Sequence, residues 1–109
     1  MNAAILNNEN WQKDNTAVTY DPDTNNSKVF LHGHLIAVVG DDHHVEIMDG
    51  GWQSKTTKSR LNAICAEHCI TGECVFQKNY QWFVRKFVGA INGQSVFKTE
   101  EFHSSYLFA

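Results

Sequence analysis

Four side chains that could bind a metal or react as nucleophiles lie close together in the second half of the chain: Cys65, His68, Cys69 and Cys74. Zinc takes four nitrogen or sulfur ligands, usually as two separated close pairs. Here all four crowd into one short stretch, and Cys65 and His68 fall on a stripe that should face the core. Free cysteine often behaves as a small buried hydrophobe. We therefore expect no metal site, and an odd cysteine count without a secretion signal favours reduced thiols.

The remaining chemistry-bearing residues give little support for catalysis. His32, His34, His43 and His44 fall on predicted strands and turns, and we expect exposed side chains rather than a metal site. His68 and Cys69 are neighbours, but adjacent helical residues point about 100° apart. The chain has no Gly-x-Ser-x-Gly, phosphate-binding loop or dinucleotide fingerprint. We predict a protein that is not an enzyme and has no cofactor, with metal-dependent or cysteine chemistry as the alternative.

Basic and aromatic residues concentrate between residues 52 and 86. Residues 55–86 hold six bases against two acids. Helix N-termini attract phosphate, and aromatics interleaved with bases suit base stacking plus phosphate contact. If residues 74–82 are extended, Phe76, Lys78, Tyr80 and Trp82 line one face. The alternative places the aromatics in the core and the bases in solvent. The predicted nucleic-acid-binding residues are Trp52, Lys55, Lys58, Arg60, Lys78, Tyr80, Trp82, Arg85 and Lys86.

The charge distribution limits the classes of partner. The net charge of −3 excludes both a histone-like basic surface and an acidic mimic of DNA. Residues 1–50 carry eight acids against two bases, whereas residues 51–109 carry seven bases against four acids. An acidic face of Asp41, Asp42, Glu46 and Asp49 could contact a protein partner. The two halves could equally attract each other within one domain.

The elements that must position these residues follow from local patterns. Alternating or continuous apolar runs over residues 16–48 predict a meander of three or four antiparallel strands. Residues 74–78, 81–89 and 94–98 predict further strands, with Asn92-Gly93 as a hairpin turn. Residues 56–69 predict the main helix, with Thr56 or Thr57 as its N-cap.

The predicted fold is α+β: a small antiparallel sheet of about five or six strands with one main helix, about 56–69, packed on one face. A chain of 109 residues suffices for one core. We expect an N-terminal arm over residues 1–15 and a single domain over 16–109. The predicted core joins a helix stripe to strand residues: Leu61, Ile64, Cys65 and His68 against Val29, Leu31, Ile36, Val38, Val45 and Ile47.

Several strings of the sequence resemble a group of short tailed-bacteriophage proteins. The resemblance spans roughly residues 16–98, and its most specific string is Thr56-Thr-Lys-Ser-Arg-Leu-Asn-Ala63. It brings no activity or site residue with it, and it implies a phage origin and the cytoplasm of an infected bacterial host. The other strings are Val29-Phe-Leu-His-Gly33 with Ile36-Ala37, Asp49-Gly-Gly-Trp52, Val75-Phe-Gln-Lys-Asn79 and Trp82-Phe-Val84.

Together these observations predict a small phage accessory protein that binds nucleic acid through a basic and aromatic surface in residues 52–86. The alternative is a protein-binding module that inhibits or redirects a bacterial host factor. No apolar run approaches the length of a membrane span, and the first ten residues do not resemble a secretory signal, so we expect no membrane partner. An exposed edge strand could also pair two copies into a homodimer.

Overall fold

The computed structural model describes residues 1–40, 44–51 and 53–108. This part of the chain contains two helices and nine strands, and the strands form two antiparallel sheets. The order of elements is α1 (Asn2–Leu6), β1 (Trp11–Lys13), β2 (Thr16–Asp21), β3 (Asn26–Leu31), β4 (His34–Gly40), β5 (Val45–Ile47), α2 (Lys55–His68), β6 (Cys74–Lys78), β7 (Gln81–Ile91), β8 (Gln94–Glu101) and β9 (Tyr106–Leu107).

The predicted α+β class with one main helix is confirmed, but the strand count is higher than predicted. Strands β1 to β5 form a meander, and β9 pairs with β5 to complete a six-stranded sheet, sheet A. Strands β6, β7 and β8 form a separate three-stranded sheet, sheet B. Strands β1 and β9 are only three and two residues long. Such short segments cannot show the alternation by which a strand is recognised in a sequence.

One part of the predicted core is shifted by a β-bulge. The pairing of β3 with β4 changes register between Val29 and Phe30, so that Ile36 becomes an extra residue in β4. A bulge reverses which residues face the core beyond it. Ile36, Ala37 and Val39 are consequently buried, whereas the predicted core residue Val38 is half-exposed.

Helix α2 begins one residue earlier than predicted because Ser54, rather than Thr56 or Thr57, is its N-cap. The Ser54 Oγ accepts the backbone N–H of Thr57 at 3.1 Å, which satisfies one of the free donors of the first turn. The predicted stripe is largely confirmed: Leu61, Ile64 and Cys65 are buried. The fourth member, His68, is half-buried at the last turn.

The first fifteen residues lie against this core. Helix α1 buries Ala4 and Ile5, and Asn2 Nδ2 donates to the carbonyl of Ala63 in α2 at 3.0 Å. Strand β1 then pairs with β2 at the edge of sheet A.

Helix α2 also joins the two sheets. Its buried side chains lie in one core cluster with Val75, Trp82 and Val84 of sheet B and with the inner residues of sheet A. At the edge of sheet B, Asn62 Nδ2 donates to the Val75 carbonyl at 2.8 Å, and its Oδ1 accepts the Val75 N–H at 2.7 Å. The amide thereby satisfies both backbone groups of Val75, which point away from β7.

We expect Asn62→Ala to lower the free energy of unfolding by about 2 kcal/mol, because it leaves a part-buried donor and acceptor unpaired. Chemical denaturation measures the change. Glu67→Ala, an exposed change on the same helix, is the matched control and should shift stability by less than about 0.5 kcal/mol. Equal stability of the two variants would mean that water replaces the Asn62 bonds at no cost.

Candidate nucleic-acid interface

The structure distributes the nine predicted binding residues over separate places. Lys55, Lys58 and Arg60 lie on α2, and five others lie on the β6–β7 hairpin or beyond it on β7. Trp52 lies outside the described residues. Helix α2 packs against the edge of sheet B and against its inner side, the side that carries the buried residues Val75, Trp82 and Val84. The bases of α2 therefore do not share a surface with the opposite, outer side of that sheet.

The turn between β6 and β7 decides which aromatics face outward. Lys78 pairs with Gln81, so Asn79 and Tyr80 form a two-residue turn. Phe76 therefore lies opposite Phe83, and Trp82 lies opposite Gln77. The predicted face of Phe76 with Trp82 is wrong, because the chain turns within residues 74–82 rather than staying extended.

Trp82 consequently belongs to the core. Its side chain is 3% exposed and packs edge-to-face on Phe102, with ring centroids 5.5 Å apart. A ring enclosed in this way has no face to offer a nucleic-acid base.

Sheet B instead carries a row of phenylalanines on its solvent side. Phe76 stacks on Phe83 with ring centroids 5.7 Å apart, and Phe87 meets Phe97 edge-to-face at 5.8 Å. All four rings are partly exposed, whereas Val75, Trp82 and Val84 on the other side of the sheet are buried. We call this surface the outer aromatic face; its members are Phe76, Lys78, Phe83, Arg85, Phe87 and Phe97.

Arg85 is the charged group at the centre of the outer aromatic face. Its guanidinium carbon lies 4.2 Å from the centroid of the Phe97 ring, within the range of a cation–π contact. Lys78 is exposed at the end of β6 on the same side of the sheet. Glu101, which lies opposite Phe83, contributes a carboxylate to this side.

Residues 70–73 contact the ring of Phe97 and the backbone of Phe87. A Cβ at Gly72 would lie 2.6 Å from the Phe97 ring, so only glycine allows the ring to pack there. The buried Glu73 carboxylate accepts the N–H of Ile70 at 3.0 Å and that of Phe87 at 3.1 Å. Glu73 thereby binds β7 at Phe87, two residues beyond Arg85, which pairs with the first residue of β6.

Tyr80 projects from the tip of the β6–β7 hairpin. It is 96% exposed and adopts φ +65°, after Asn79 at φ +53°. Two successive residues with positive φ are typical of a type I′ turn, in which glycine is common and a bulky side chain is strained.

Lys86 lies on the other side of β7 from Arg85. Its Nζ is 5.8 Å from the Tyr106 ring centroid, next to Glu100. Glu100 accepts hydrogen bonds from Lys98 Nζ at 2.6 Å and from the Tyr106 hydroxyl, and these two donors lower the pKa of its carboxyl. Lys86 therefore belongs to a polar cluster on the inner side rather than to the outer aromatic face.

The three bases of α2 differ in their contacts and in their exposure. Arg60 Nε donates to Thr16 Oγ1 at 3.1 Å and ties the helix to β2. Lys55 is exposed, and Lys58 is half-exposed. Of these three bases, the two lysines are therefore the ones available near the helix N-terminus.

Cys65 lacks the features of an activated nucleophile. Cys65, Cys69 and Cys74 are free thiols, and Cys65 is buried. A hydrogen bond with Cys69 and burial both raise the pKa of the Cys65 thiol, whereas a reactive cysteine needs a lowered pKa. Within the described residues, no three histidine, cysteine or acidic side chains are grouped to hold a metal ion.

The predicted histidine and acidic groups are partly outside the described residues. His43, Asp41 and Asp42 fall there. His32 and His34 line a cavity of about 390 Å³ beside the start of α2, together with Asp49.

The remaining two acids of the predicted acidic face make contacts within the chain. Glu46 accepts the Ser105 hydroxyl at 2.6 Å, and Asp49 accepts the Gly51 N–H at 2.8 Å.

Four residues of the outer aromatic face were not among the predicted binding residues: Phe76, which the sequence placed only on an extended face, and Phe83, Phe87 and Phe97. The signal that could have found them is the alternation of β7 combined with a two-residue turn at Asn79-Tyr80. That combination places Phe83 and Phe87 on the side of Phe76.

We expect the three thiols to alkylate in the order of their exposure. In the native protein, Cys65 should react with iodoacetamide more than about tenfold slower than Cys69 and Cys74, because its thiolate is disfavoured and enclosed. Mass spectrometry of timed samples measures the order. Unfolded protein is the control and should label all three alike; a native Cys65 that reacts first would contradict the assignment.

Among the described residues, no helix is long and apolar enough to cross a membrane.

Comparison with protein families gives a match that covers the whole chain. The chain matches no curated protein and no solved structure. A family model described as Kyanoviridae Gp96 protein matches residues 1–109. The chain therefore belongs to the Kyanoviridae Gp96 protein family and is a protein of tailed phages.

Proposed function

We propose that this phage protein is an accessory factor that binds single-stranded nucleic acid on the outer aromatic face of sheet B. The carrying observation is the row of four partly exposed phenylalanines on the solvent side of a three-stranded sheet. The solvent side of an antiparallel sheet is ordinarily polar. Unpaired bases stack on such rings, and every base has a face that can do so.

The pairing of the rings supports a stacking surface rather than isolated exposed side chains. Phe76 and Phe83 are stacked with their planes 22° apart, and Phe87 and Phe97 form a second pair. Because the strand register holds the two pairs in place, binding restricts their side chains little further. A base could lie on the Phe76–Phe83 pair, and a second could lie on the Arg85 guanidinium that covers Phe97.

The charged side chains of this face can make only a small number of phosphate contacts. Arg85 and Lys78 supply two cations beside the rings, against the carboxylate of Glu101. Arg85 is already positioned by Phe97, so its guanidinium is preorganised for a phosphate or a base plane. Affinity would thus depend on stacking more than on charge.

Tyr80 supplies a further ring at the end of the face. A tyrosine that is 96% exposed at a left-handed backbone position contributes neither packing nor a favourable turn. Strained residues of this kind concentrate at binding sites. We assign Tyr80 to the end of the nucleic-acid path, next to Lys78.

Lys55 and Lys58 form a second, weaker candidate contact. They lie in the first turn of α2, where backbone N–H groups and the helix dipole favour an anion. Arg60 is occupied by Thr16 and is not part of this contact.

A protein-binding role is the second candidate function, and one observation favours it. Near the distal end of the β7–β8 hairpin, Val88 is 51% exposed and Ile91 is 64% exposed. Apolar side chains on a projecting hairpin suit a protein contact. In either role we place the protein in the cytoplasm of the infected bacterial host.

Charge reversal separates the outer aromatic face from the helix lysines. We expect Lys78→Glu/Arg85→Glu to weaken binding of fluorescent single-stranded oligonucleotides by more than about tenfold. It should also lower the log–log salt slope by roughly 0.7 for each phosphate that the variant no longer neutralises. Lys13→Glu, an exposed change on β1, is the control and should have little effect. Lys55→Glu/Lys58→Glu measures the second contact.

Two outcomes would contradict the proposal. If the wild-type protein binds neither DNA nor RNA at low salt, the protein-binding role becomes the working function. If Lys78→Glu/Arg85→Glu binds as well as the wild type while the helix variant does not, the interface lies on α2 instead.

Tyr80→Gly should reduce binding without reducing stability. Removing the ring should weaken affinity about fivefold or more, the effect of removing one base stack. Thermal stability should stay equal or rise, because glycine adopts positive φ without strain. Asn79→Gly is the matched control, since it relaxes the same turn and removes no ring. Equal affinities for the two variants would exclude Tyr80 from the interface.

A further inference from the structure

The two edges of sheet B differ in how their backbone groups are satisfied. The β6 edge is closed at Val75 by the Asn62 amide. The β8 edge is the other end of the three-stranded sheet and, among the described residues, pairs with no strand beyond β7. An open edge of eight residues is a template for a further strand.

The register shows which groups of β8 point away from the sheet. Val75 directs its N–H and C=O toward Asn62, so its partner Val84 directs its own groups toward β8 and Glu100. The Phe102 N–H, two residues on, donates to the Trp82 carbonyl at 3.1 Å in the same phase. Since these directions alternate along a strand, Phe97, Thr99 and Glu101 present their backbone groups outward.

The side chains of β8 make this edge complementary to itself. In an antiparallel pair of two β8 strands centred on Thr99, each Lys98 lies opposite Glu100 of the second copy, and Phe97 lies opposite Glu101. Centring the pair on Lys98 or on Glu100 would place like charges face to face, which is destabilising. Only the register about Thr99 matches both charges and outward backbone groups.

The charges present on this edge do not prevent such pairing. Lysine on an edge strand normally discourages association, but Lys98 Nζ is already 2.6 Å from Glu100 Oε1 in the same chain. Two copies would combine these pairs into an alternating cluster of four charges. Lys98 also lies opposite Lys86 of β7, and the nearby Glu100 carboxylate reduces the repulsion between these two lysines.

We propose that β8 pairs with β8 of a second copy about Thr99, which joins the two B sheets into a continuous six-stranded sheet. The inference concerns assembly and does not depend on nucleic-acid binding. In an antiparallel pair related by a two-fold axis through the sheet, the same faces of both copies lie on the same side. The two outer aromatic faces would then form one surface of twice the length.

Sedimentation analysis of charge variants tests the register. Wild-type protein should sediment as a dimer at tens of micromolar, twice the chain mass of 12.4 kDa. Lys98→Glu alone and Glu100→Lys alone should each be monomeric, because every copy then opposes like charges. An equimolar mixture of the two variants should recover the dimer, since position 98 of each variant then faces the opposite charge at position 100 of the other.

A second pair of variants keeps the test decisive if Glu100→Lys disturbs the fold, which circular dichroism would reveal. Thr99→Pro removes an outward N–H that β7 does not use, and it should abolish the dimer. Thr99→Val retains the N–H and should leave the dimer intact. A monomeric wild-type protein, or a dimer that survives Thr99→Pro, would overturn the proposal.

Discussion

The two-residue turn at Asn79 and Tyr80 is the constraint on which the rest of sheet B depends. It pairs Lys78 with Gln81 and thereby sets the side of the sheet on which each later residue of β7 lies. Trp82 and Val84 are directed into the core, while Phe83 and Arg85 face solvent. A turn longer by one residue would exchange these sets, burying a guanidinium and exposing the tryptophan.

Helix α2 packs against both sheets and joins them through one core. Leu61, Ile64 and Cys65 lie in the same buried cluster as residues of both sheets. Its polar contacts fix the geometry: Asn62 binds the edge of β6, and Arg60 binds Thr16 of β2. These bonds tie the helix to one strand of each sheet.

The two sides of sheet B differ in the residues that they carry. The inner side carries apolar residues that are buried in the core, and the outer side carries aromatic rings that lie outside the core. Glu73 and Gly72 support those rings from the loop that follows α2, one by binding the Phe87 N–H and one by admitting the Phe97 ring. The outer aromatic face is therefore a supported surface rather than a set of unburied residues.

The sequence by itself determined the α+β class, the main helix with its Leu61, Ile64 and Cys65 stripe, most of the strands and the resemblance to phage proteins, because these depend on local periodicity and composition. It did not determine the burial of Trp82, the side of Lys86 or the exchange of Val38 for Ala37 and Val39 in the core. Those features depend on a turn of two residues and on a bulge in the β3–β4 pairing. Each shifts side-chain parity by one residue, and only the pairing of strands in the tertiary structure decides where such a shift occurs.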